Sequence, residues 1–412
     1  LVLVAEIFMP QLIYLIAPGF YKDPEKLKLA VNLSKITFPF LFFICLASFF
    51  SAILNSYNKF AAAAAAPIIL NVILIGSLFF SKWINISDVF TLSYAVSIAG
   101  LLQFLILLFF VRKHFKLILN IKVKIDDKIK FFFRKLIPSI FSSGVTQINI
   151  LVGTIIASFQ AGAVSYLYYA DRVYQINLAV AGIAVGTVML PELSKHVKNN
   201  NSDLITNLQN RALELCLFLS IPAGTALVIA SEEIVTSLFG YGSFDYKSVN
   251  NTAIALTFFA FGVPAFSILK IFSNFFFARN NTKLPFYLSV ISVILNILIS
   301  VLFFGKLGFV IIPIATSISS WINVILHFYF IKKQNLHDFD RTFIYKFPRI
   351  IFSTIVMGII LYFTLGFFSD KFNYNESWKI VYLFIIVSVN LLIYFFVSNF
   401  SGAFKLKDIK LR

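Results

Sequence analysis

Two oppositely charged residues, Asp171 and Arg172, lie side by side in a segment that is otherwise apolar enough to span a membrane. The segment covers residues 168–195, and the pair lies about 12 Å beyond the expected start of its helix near Val164, at about 1.5 Å per residue. Placing Arg at the centre of a bilayer costs at least about 2.5 kcal/mol, so such a pair indicates a water-filled cavity or a bundle interior. These two residues are the first candidates for a functional site.

The chemistry that suits Arg172 is anion binding. Its guanidinium is a planar, permanently charged fork that fits the oxygens of a phosphate or diphosphate, and the contact is stronger in a low-dielectric cavity than in water. Asp171 points about 100° away from Arg172 on a helix, so it either pairs with Arg172 or orients a polar neighbour such as Gln175. A purely structural pair that satisfies a helix contact is the alternative for both residues.

The helix that carries this pair also contains small residues at helical spacing. Ala179, Gly182 and Gly186 follow an i, i+3, i+7 pattern, and the two glycines form a GxxxG pair. Such a pair allows another helix to approach closely in a membrane. We therefore expect a second helix to pack tightly against the part of this helix that follows Arg172 in the sequence.

A polar stripe follows one face of the preceding apolar segment, residues 136–160. It either lines a hydrophilic cavity or hydrogen-bonds to a neighbouring helix. Because this segment directly precedes the helix of Arg172, the two are expected to form an antiparallel pair, which favours a shared cavity. The stripe consists of Ser139, Ser142, Thr146, Asn149 and Gly153, and the candidate substrate contacts on this helix are Ser143, Gln147 and Asn149.

Lys270 is a further charged residue inside an apolar segment, residues 253–277. It lies close enough to the expected cytoplasmic end for its side chain to reach the membrane surface. A substrate contact and simple solvation of the amine at the membrane surface both remain open for this residue.

The sequence lacks the signatures of an enzyme or of a metal protein. It has no GxxxxGK[ST] phosphate-binding loop, its four histidines have no metal-ligand spacing, and Cys45 and Cys216 are far apart. The net charge of +17 comes from Lys and Arg in short connections between apolar runs, which argues against nucleic acid as a partner. No catalytic residue, cofactor or metal is expected.

The composition, 59% hydrophobic with a mean hydropathy of +0.88, indicates an all-α polytopic membrane protein. Alternate connections hold 24 and 8 Lys and Arg residues, and the richer set is expected to face the cytoplasm. Twelve apolar runs are long enough, or nearly so, to span: 1–16, 33–54, 61–80, 89–111, 136–160, 164–190, 211–231, 253–277, 285–304, 308–331, 350–368 and 379–400.

An internal repeat organises these helices into two pseudo-repeated lobes. A shift of 225 residues aligns Pro39 with Pro264, Asn55 with Asn280 and Asn71 with Asn296, and such repeats are common in transporters. The same shift places residue 136 at position −89, so we expect about 90 residues upstream of this sequence, which starts without Met. The expected domains are an incomplete N-lobe (1–111), a basic cytoplasmic linker (112–135), a C-lobe (136–334) and two C-terminal helices with a basic tail (335–412).

Several motifs resemble the MurJ (MviN) family of lipid II flippases, within the multidrug, oligosaccharidyl-lipid and polysaccharide exporter superfamily. They are APGF at 17–20, the run at 35–60, Pro67 with Asn71, YYADRVYQ and VGTVMLPELSK. The resemblance implies fourteen helices, of which the last twelve are present here: two lobes around a cationic cavity, then two helices that form a groove for a lipid tail. Arg172 matches a cavity arginine, and Asp171 matches the acidic residue before it.

The resemblance also implies a function: alternating-access flipping of the undecaprenyl-diphosphate-linked peptidoglycan precursor, lipid II, across the bacterial inner membrane. The expected partners are lipid II and membrane lipids, with the cell-wall synthesis machinery as a candidate and a monomeric state. Asn177 and Gly153 depart from the family pattern, and Gly153 weakens a case for sodium coupling. The alternatives are a flippase for another polyprenyl-linked glycan, a cation-coupled multidrug exporter and a non-transporting scaffold.

Overall fold

The computed structural model describes residues 2–57, 59–85, 87–113 and 127–404, with all side chains in these ranges except those at 60, 63, 84, 128, 132, 134–143, 145 and 146. All regular elements within the described ranges are helices, which confirms the predicted all-α class. The chain forms two compact units, Leu1–Pro138 and Ser139–Arg412.

In the first unit, proline residues begin several helices, because the first turn of a helix needs no N–H from proline. Asp23 caps the third helix by accepting a hydrogen bond from the Lys26 backbone N–H at 3.1 Å. The described helices here are α1 (Val2–Ile7), α2 (Met9–Ile16), α3 (Pro24–Thr37), α4 (Pro39–Ser56), α5 (Phe60–Ile84) and α6 (Asp88–Arg112), and α7 (Asp127–Ser158) crosses the boundary between the units.

The second unit carries the charged pair, and a π-helical segment, Ala179–Ala184, interrupts its first long helix. The α-helices of this unit are α8 (Ala163–Leu178), α9 (Val185–Lys198), α10 (Ser202–Ile229), α11 (Ser231–Phe239), α12 (Tyr246–Ala260), α13 (Val263–Phe277), α14 (Lys283–Leu307), α15 (Ile311–Lys333), α16 (Arg341–Phe367) and α17 (Lys379–Ser401).

The predicted apolar runs all fall on helices of the structure. Among the described residues, eight helical runs are long and apolar enough to span a membrane, or nine if the bent pair α12–α13 counts as one. The prediction of twelve counts α14 and α15 separately, although they form one run of 51 residues, because Gly308 turns the chain between them with φ 59°. It also counts two regions with shorter helices, 1–16 and the end of α7.

In both units a new helix begins at the proline that the repeat aligns. Pro39 lies in the first turn of α4, directly after α3, and Pro264 lies in the first turn of α13, after a bend of 41° from α12. In each unit a longer helix follows, α5 or α14. The shared order of helices agrees with the shift of 225 residues.

Four short connections adopt a left-handed backbone at an asparagine instead of the more usual glycine. Asn85, Asn200, Asn280 and Asn335 have φ between 49° and 59°. Asparagine tolerates this conformation better than most residues with a side chain, so it can end helices in a chain with only 17 glycines.

The buried apolar residues of α8 and α9 determine on which side of the helix the charged pair lies. Ala170 and Val173, which flank the pair, are buried in a core with α12 and the start of α15. Val185 and Met189 of α9 are buried in a second core with α10 and α13. Since both neighbours of the pair face the core, Asp171 and Arg172 lie on the opposite side of α8.

Candidate functional site

The start of α8 determines how far along its helix Arg172 lies. The helix begins at Ala163, directly after Gly162 with φ 77°, and Arg172 lies about 14 Å further along it at about 1.5 Å per residue. The preceding turn is held by Gln160, whose Oε1 accepts a hydrogen bond from the Phe309 backbone N–H at 2.8 Å. The depth of Arg172 therefore follows from a fixed helix start.

Arg172 itself is exposed, and its guanidinium lies over an aromatic ring of its own helix. The guanidinium carbon is 4.8 Å from the centroid of the Tyr168 ring, one turn earlier. Such a cation–π contact restrains the side chain while its N–H groups stay available for hydrogen bonds. Arg172 is thus oriented and accessible.

Asp171 is half-buried and contacts polar side chains below it on α8. Gln175 donates a hydrogen bond from Nε2 to Asp171 Oδ2, and the Tyr174 hydroxyl also hydrogen-bonds to this carboxylate. The Tyr174 ring packs against Phe259 and Phe266, with centroids 4.9 and 5.4 Å away. Of the two arrangements left open by the sequence, the described residues show the one with Gln175, without an ion pair between Asp171 and Arg172.

The two glycines below the charged pair contact α13, as the GxxxG pattern predicts. A Cβ on Gly182 would lie 3.0 Å from the Ser267 Cα, and one on Gly186 would lie 3.1 Å from the Asn274 Nδ2. The Asn274 amide donates a hydrogen bond to the Gly186 carbonyl oxygen at 2.8 Å. The π-helical segment, which the sequence analysis did not predict, contains Gly182.

Lys270 lies at this same helix crossing and is exposed. Its Cγ would be 3.5 Å from a Cβ on Gly182, and its Cβ 3.9 Å from one on Gly186. Gly182 is ten residues beyond Arg172, or about 15 Å along the helix axis. The structure therefore places Lys270 on the same helix pair as Arg172 but at a different depth.

The polar residues of α7 are only partly described. Gln147 is exposed, and Asn149 is half-buried with an Oδ1 that accepts no hydrogen bond from the described residues. The Ser143 side chain lies outside the described part of the structure. Gly153 lies beside the apolar Ile312, since a Cβ there would be 3.6 Å from its Cγ2.

An apolar cavity of about 350 Å³ lies between the helix of Arg172 and the last two helices. On one side it is lined by Asn177 and by Val180 of the π-helical segment, on the other by α16 and α17. The residues of α10, α16 and α17 that line it include Phe218, Pro222, Leu361, Leu365, Leu383, Ile386, Leu391 and Tyr394.

Two buried charged groups of the second unit were missed in the sequence analysis. Glu214 of α10 pairs with Lys346 of α16 at 2.9 Å. Lys379 at the start of α17 is 1% exposed, and its Nζ donates hydrogen bonds to the carbonyl oxygens of Gly240 and Tyr374 at 2.6 and 2.7 Å. A lone carboxylate in the apolar stretch LELCLFL is a signal that could have revealed Glu214.

Comparison with known proteins relates the chain to one family over almost its whole length. The family model described as lipid II flippase MurJ matches residues 1–383. A probable lipid II flippase MurJ of Rickettsia prowazekii (strain Madrid E) is 36% identical over 411 residues, which cover 91% of this chain and 80% of the relative. The corresponding protein of Rhizobium meliloti (strain 1021) is 37% identical over 367 residues, covering 88% of this chain and 68% of the relative.

Solved structures agree with this relation. A lipid II flippase MurJ in an inward closed conformation superimposes with a TM-score of 0.78 at 29% identity, covering 97% of this chain and 79% of the other. An inward-facing transporter of the multidrug resistance MATE family has the same fold, with a TM-score of 0.66 at 12% identity, over 81% of this chain and 78% of the other. The chain is a member of the lipid II flippase MurJ family.

Proposed function

We propose that this protein flips lipid II, the undecaprenyl-diphosphate-linked peptidoglycan precursor, from the cytoplasmic to the outer leaflet of the bacterial inner membrane. It is a multi-pass transporter and not an enzyme. The observation that carries the assignment of the site is the position of Arg172, an oriented and accessible guanidinium about 14 Å inside the membrane-spanning part of α8.

In this proposal Arg172 binds the diphosphate of lipid II. A diphosphate offers several anionic oxygens, and guanidinium contacts to such oxygens are short, charge-assisted hydrogen bonds. The Tyr168 ring keeps the guanidinium in place before the ligand arrives, which reduces the entropy lost on binding.

Asp171 acts as a positioning residue in this site. Its carboxylate accepts a hydrogen bond from Gln175, which lies three residues after Arg172 and therefore on a neighbouring part of the same helix surface. Because Asp171 carries a negative charge, direct contact with the diphosphate would be repulsive. Its contribution is therefore to the shape of the site.

Lys270, Gln147, Asn149 and Ser143 are proposed as further contacts to the substrate headgroup. Lys270 supports this role by its exposure at the crossing of α13 with Gly182 and Gly186. The exposed Gln147 amide and the unpaired Asn149 Oδ1 support it for α7. A headgroup of sugars and peptide offers many hydrogen-bonding groups to such side chains.

The apolar cavity beside α16 and α17 is proposed to take the lipid tail. Its lining is almost wholly aliphatic and aromatic, and it reaches the helix of Arg172 at Asn177. A tail in this cavity would therefore stay in apolar surroundings while the diphosphate contacts Arg172.

Release of the substrate requires a change of conformation, because the guanidinium of Arg172 cannot lose its proton. We propose alternating access, in which the N-lobe (1–111) and the C-lobe (136–334) rock so that the site opens to one side of the membrane and then to the other. The two helices of 335–412 hold the lipid tail during this change. The membrane potential is a plausible driver, at about 2.3 kcal/mol per charge per 100 mV. A monomeric state and contact with the cell-wall synthesis machinery complete the proposal.

Growth rescue tests the proposed substrate. The complete gene is expressed in a bacterium whose own lipid II flippase is depleted, and we expect growth and cell shape to be restored. Rescue only of a strain that lacks a flippase for another polyprenyl-linked glycan would assign that other substrate. If the Arg172→Ala variant still rescued growth at normal expression, Arg172 would not have the proposed role in binding the diphosphate.

A further inference from the structure

A second polar cavity, of about 400 Å³, lies between the cytoplasmic ends of α10 and α16 and the end of α17. It is separate from the α8 site, which lies toward the outer side. Its lining includes three cationic residues, Arg211, Lys346 and Arg349, and two carboxylates, those of the buried Glu214 and of Asp340. The question is which ligand such a cavity fits.

Of the two carboxylates in this cavity, Asp340 caps α16 by accepting a hydrogen bond from the Phe343 backbone N–H at 2.6 Å, and Glu214 is matched by a cation. Glu214 Oε2 and Lys346 Nζ are 2.9 Å apart, and their side chains are only 8% and 15% exposed. Removing this pair from water is costly, so the two charges compensate each other at this depth. With three cationic and two anionic side chains, the whole lining has a net charge of +1.

The Arg349 guanidinium is held in a fixed place. Its central carbon lies 3.7 Å from the centroid of the Tyr345 ring. No carboxylate of the described residues lies within 4 Å of it. An aromatic stack of this kind restrains the guanidinium and leaves its N–H edge available for oxygen ligands.

Gly402 is the residue that makes room for this guanidinium. A Cβ on Gly402 would lie 2.7 Å from Arg349 Nη1, and the glycine has φ 73°, which disfavours any side chain. The end of α17 thus leaves space where the guanidinium reaches the cavity.

The surroundings point to a lipid and not to a soluble anion. Arg349 is eight residues from the start of α16, or about 12 Å along the helix from its cytoplasmic end. The same helix exposes Tyr345, Phe347 and Phe352, which suit the interface and acyl region of a bilayer. Basic pockets between membrane helices on the cytoplasmic side bind anionic lipid headgroups.

We propose that this cavity binds the phosphodiester headgroup of an anionic phospholipid from the cytoplasmic leaflet. The Arg349 guanidinium contacts the phosphate, and the Glu214–Lys346 pair forms the polar wall. The bound lipid joins α10 to α16 and the end of α17 at their inner ends.

The test measures retention of nitroxide-labelled phosphatidylglycerol by the full-length protein in phosphatidylcholine nanodiscs. We expect Arg349→Gln to lower the association constant about tenfold, as for loss of a bidentate charge-assisted contact. Gly402→Ala should lower it as well, because it displaces the guanidinium without changing the charge. The matched control is Arg341→Gln, an exposed arginine of the same helix outside the cavity lining, which should stay within about twofold.

Thermal unfolding in phosphatidylcholine alone verifies that each variant is folded, and Gly402→Ala replaces Arg349→Gln if the latter is not. Equal retention by Arg349→Gln and the wild type would overturn the proposal. Equal losses in Arg349→Gln and Arg341→Gln would also overturn it, because they indicate diffuse surface charge. Displacement of the lipid by millimolar inorganic phosphate or ATP would assign the cavity to soluble phosphates and overturn its assignment to a lipid.

Discussion

At the scale of single residues, the two adjacent charges of the α8 site have different contacts and therefore different roles. Arg172 lies over the Tyr168 ring and remains exposed, while Asp171 contacts Gln175 and Tyr174. The cation therefore keeps its full charge for a ligand. The anion serves to hold polar neighbours.

Another residue, His337, makes stability depend on pH at the cytoplasmic connection between α15 and α16. It is 3% exposed, and its Nδ1 lies 3.1 Å from Gln209 Oε1. Burial is the largest cause that lowers the pKa of His337 to about 4, and the charges of Lys332 and Arg279 contribute to this shift against the opposing effect of Asp338. The ring is therefore neutral at pH 7.

The sign of the pH effect follows from this lowered pKa. The unfolded state takes up a proton near pH 6.5, and the folded state only near pH 4, so stability falls as the pH drops through this window. The free energy of unfolding lost over the whole window is about 3 kcal/mol, because each pKa unit corresponds to about 1.4 kcal/mol. Thermal unfolding in detergent between pH 7.5 and 4.5 should show this loss in the wild type, and His337→Asn should show a smaller one. Equal slopes for both proteins would contradict the assignment to His337.

At the scale of helices, the π-helical segment crosses α13 in close contact at Gly182. We expect Gly182→Ala to lower the unfolding temperature, because its Cβ would meet the Ser267 backbone at 3.0 Å. Overpacking of this kind typically costs about 1–3 kcal/mol. Gly186→Ala should cost less, since its Cβ would meet the end of the Asn274 side chain, which can move.

The matched control is Gly76→Ala on α5, where a Cβ would meet no atom of the described residues within 4 Å. Alanine favours a helix over glycine by about 1 kcal/mol, so this change should be neutral or stabilising. If Gly182→Ala and Gly76→Ala had the same unfolding temperature, the crossing would not be a tight contact in solution.

The buried amine of Lys379 stabilises the outer end of α17 through hydrogen bonds. Besides the Gly240 and Tyr374 carbonyl oxygens, the amine lies 4.0 Å from the Tyr241 ring centroid. Lys379→Met would leave two carbonyl oxygens without their donor, at a cost of about 1–3 kcal/mol for each buried group.

We therefore expect faster hydrogen exchange in the connection 368–378 of Lys379→Met, together with a lower unfolding temperature. The control is Lys371→Met, which changes a lysine of the same connection that lies 5.7 Å from the Tyr382 ring centroid. Exchange that accelerates equally in both variants would show that Lys379 has no special role in holding this end of α17.

At the scale of the whole molecule, the sequence was sufficient for the class, the helices and the family. Hydropathy placed every apolar run on a helix, since a membrane span needs a long apolar stretch whatever its neighbours are. The motifs around Asp171 and Arg172 led to the family that the comparisons show. The aligned Pro39 and Pro264 both lie in the first turn of a helix, a position that proline fits.

Features that depend on side-chain contacts between helices were harder to predict. Nothing local in the sequence marks the π-helical segment, in which Gly182 packs against α13. Lys346, which pairs with Glu214, and Gly240, which accepts a hydrogen bond from Lys379, are more than 100 residues away in the sequence, so these contacts could not be inferred from spacing. The count of helical runs also differed, since α14 and α15 join without a polar loop.

The central claim is that Arg172 binds the diphosphate of lipid II during transport. The most direct measurement is the initial rate of lipid II flipping by the full-length protein in vesicles, compared between the wild type, Arg172→Gln and Arg172→Lys. The charge control is Lys198→Gln at the exposed end of α9. All four proteins should be reconstituted in equal amounts.

We predict that Arg172→Gln slows flipping at least about tenfold, the effect of losing a charge-assisted hydrogen bond. Arg172→Lys should retain part of the rate, because it keeps the charge without the planar fork, and Lys198→Gln should match the wild type. A wild-type rate for Arg172→Gln would contradict the account.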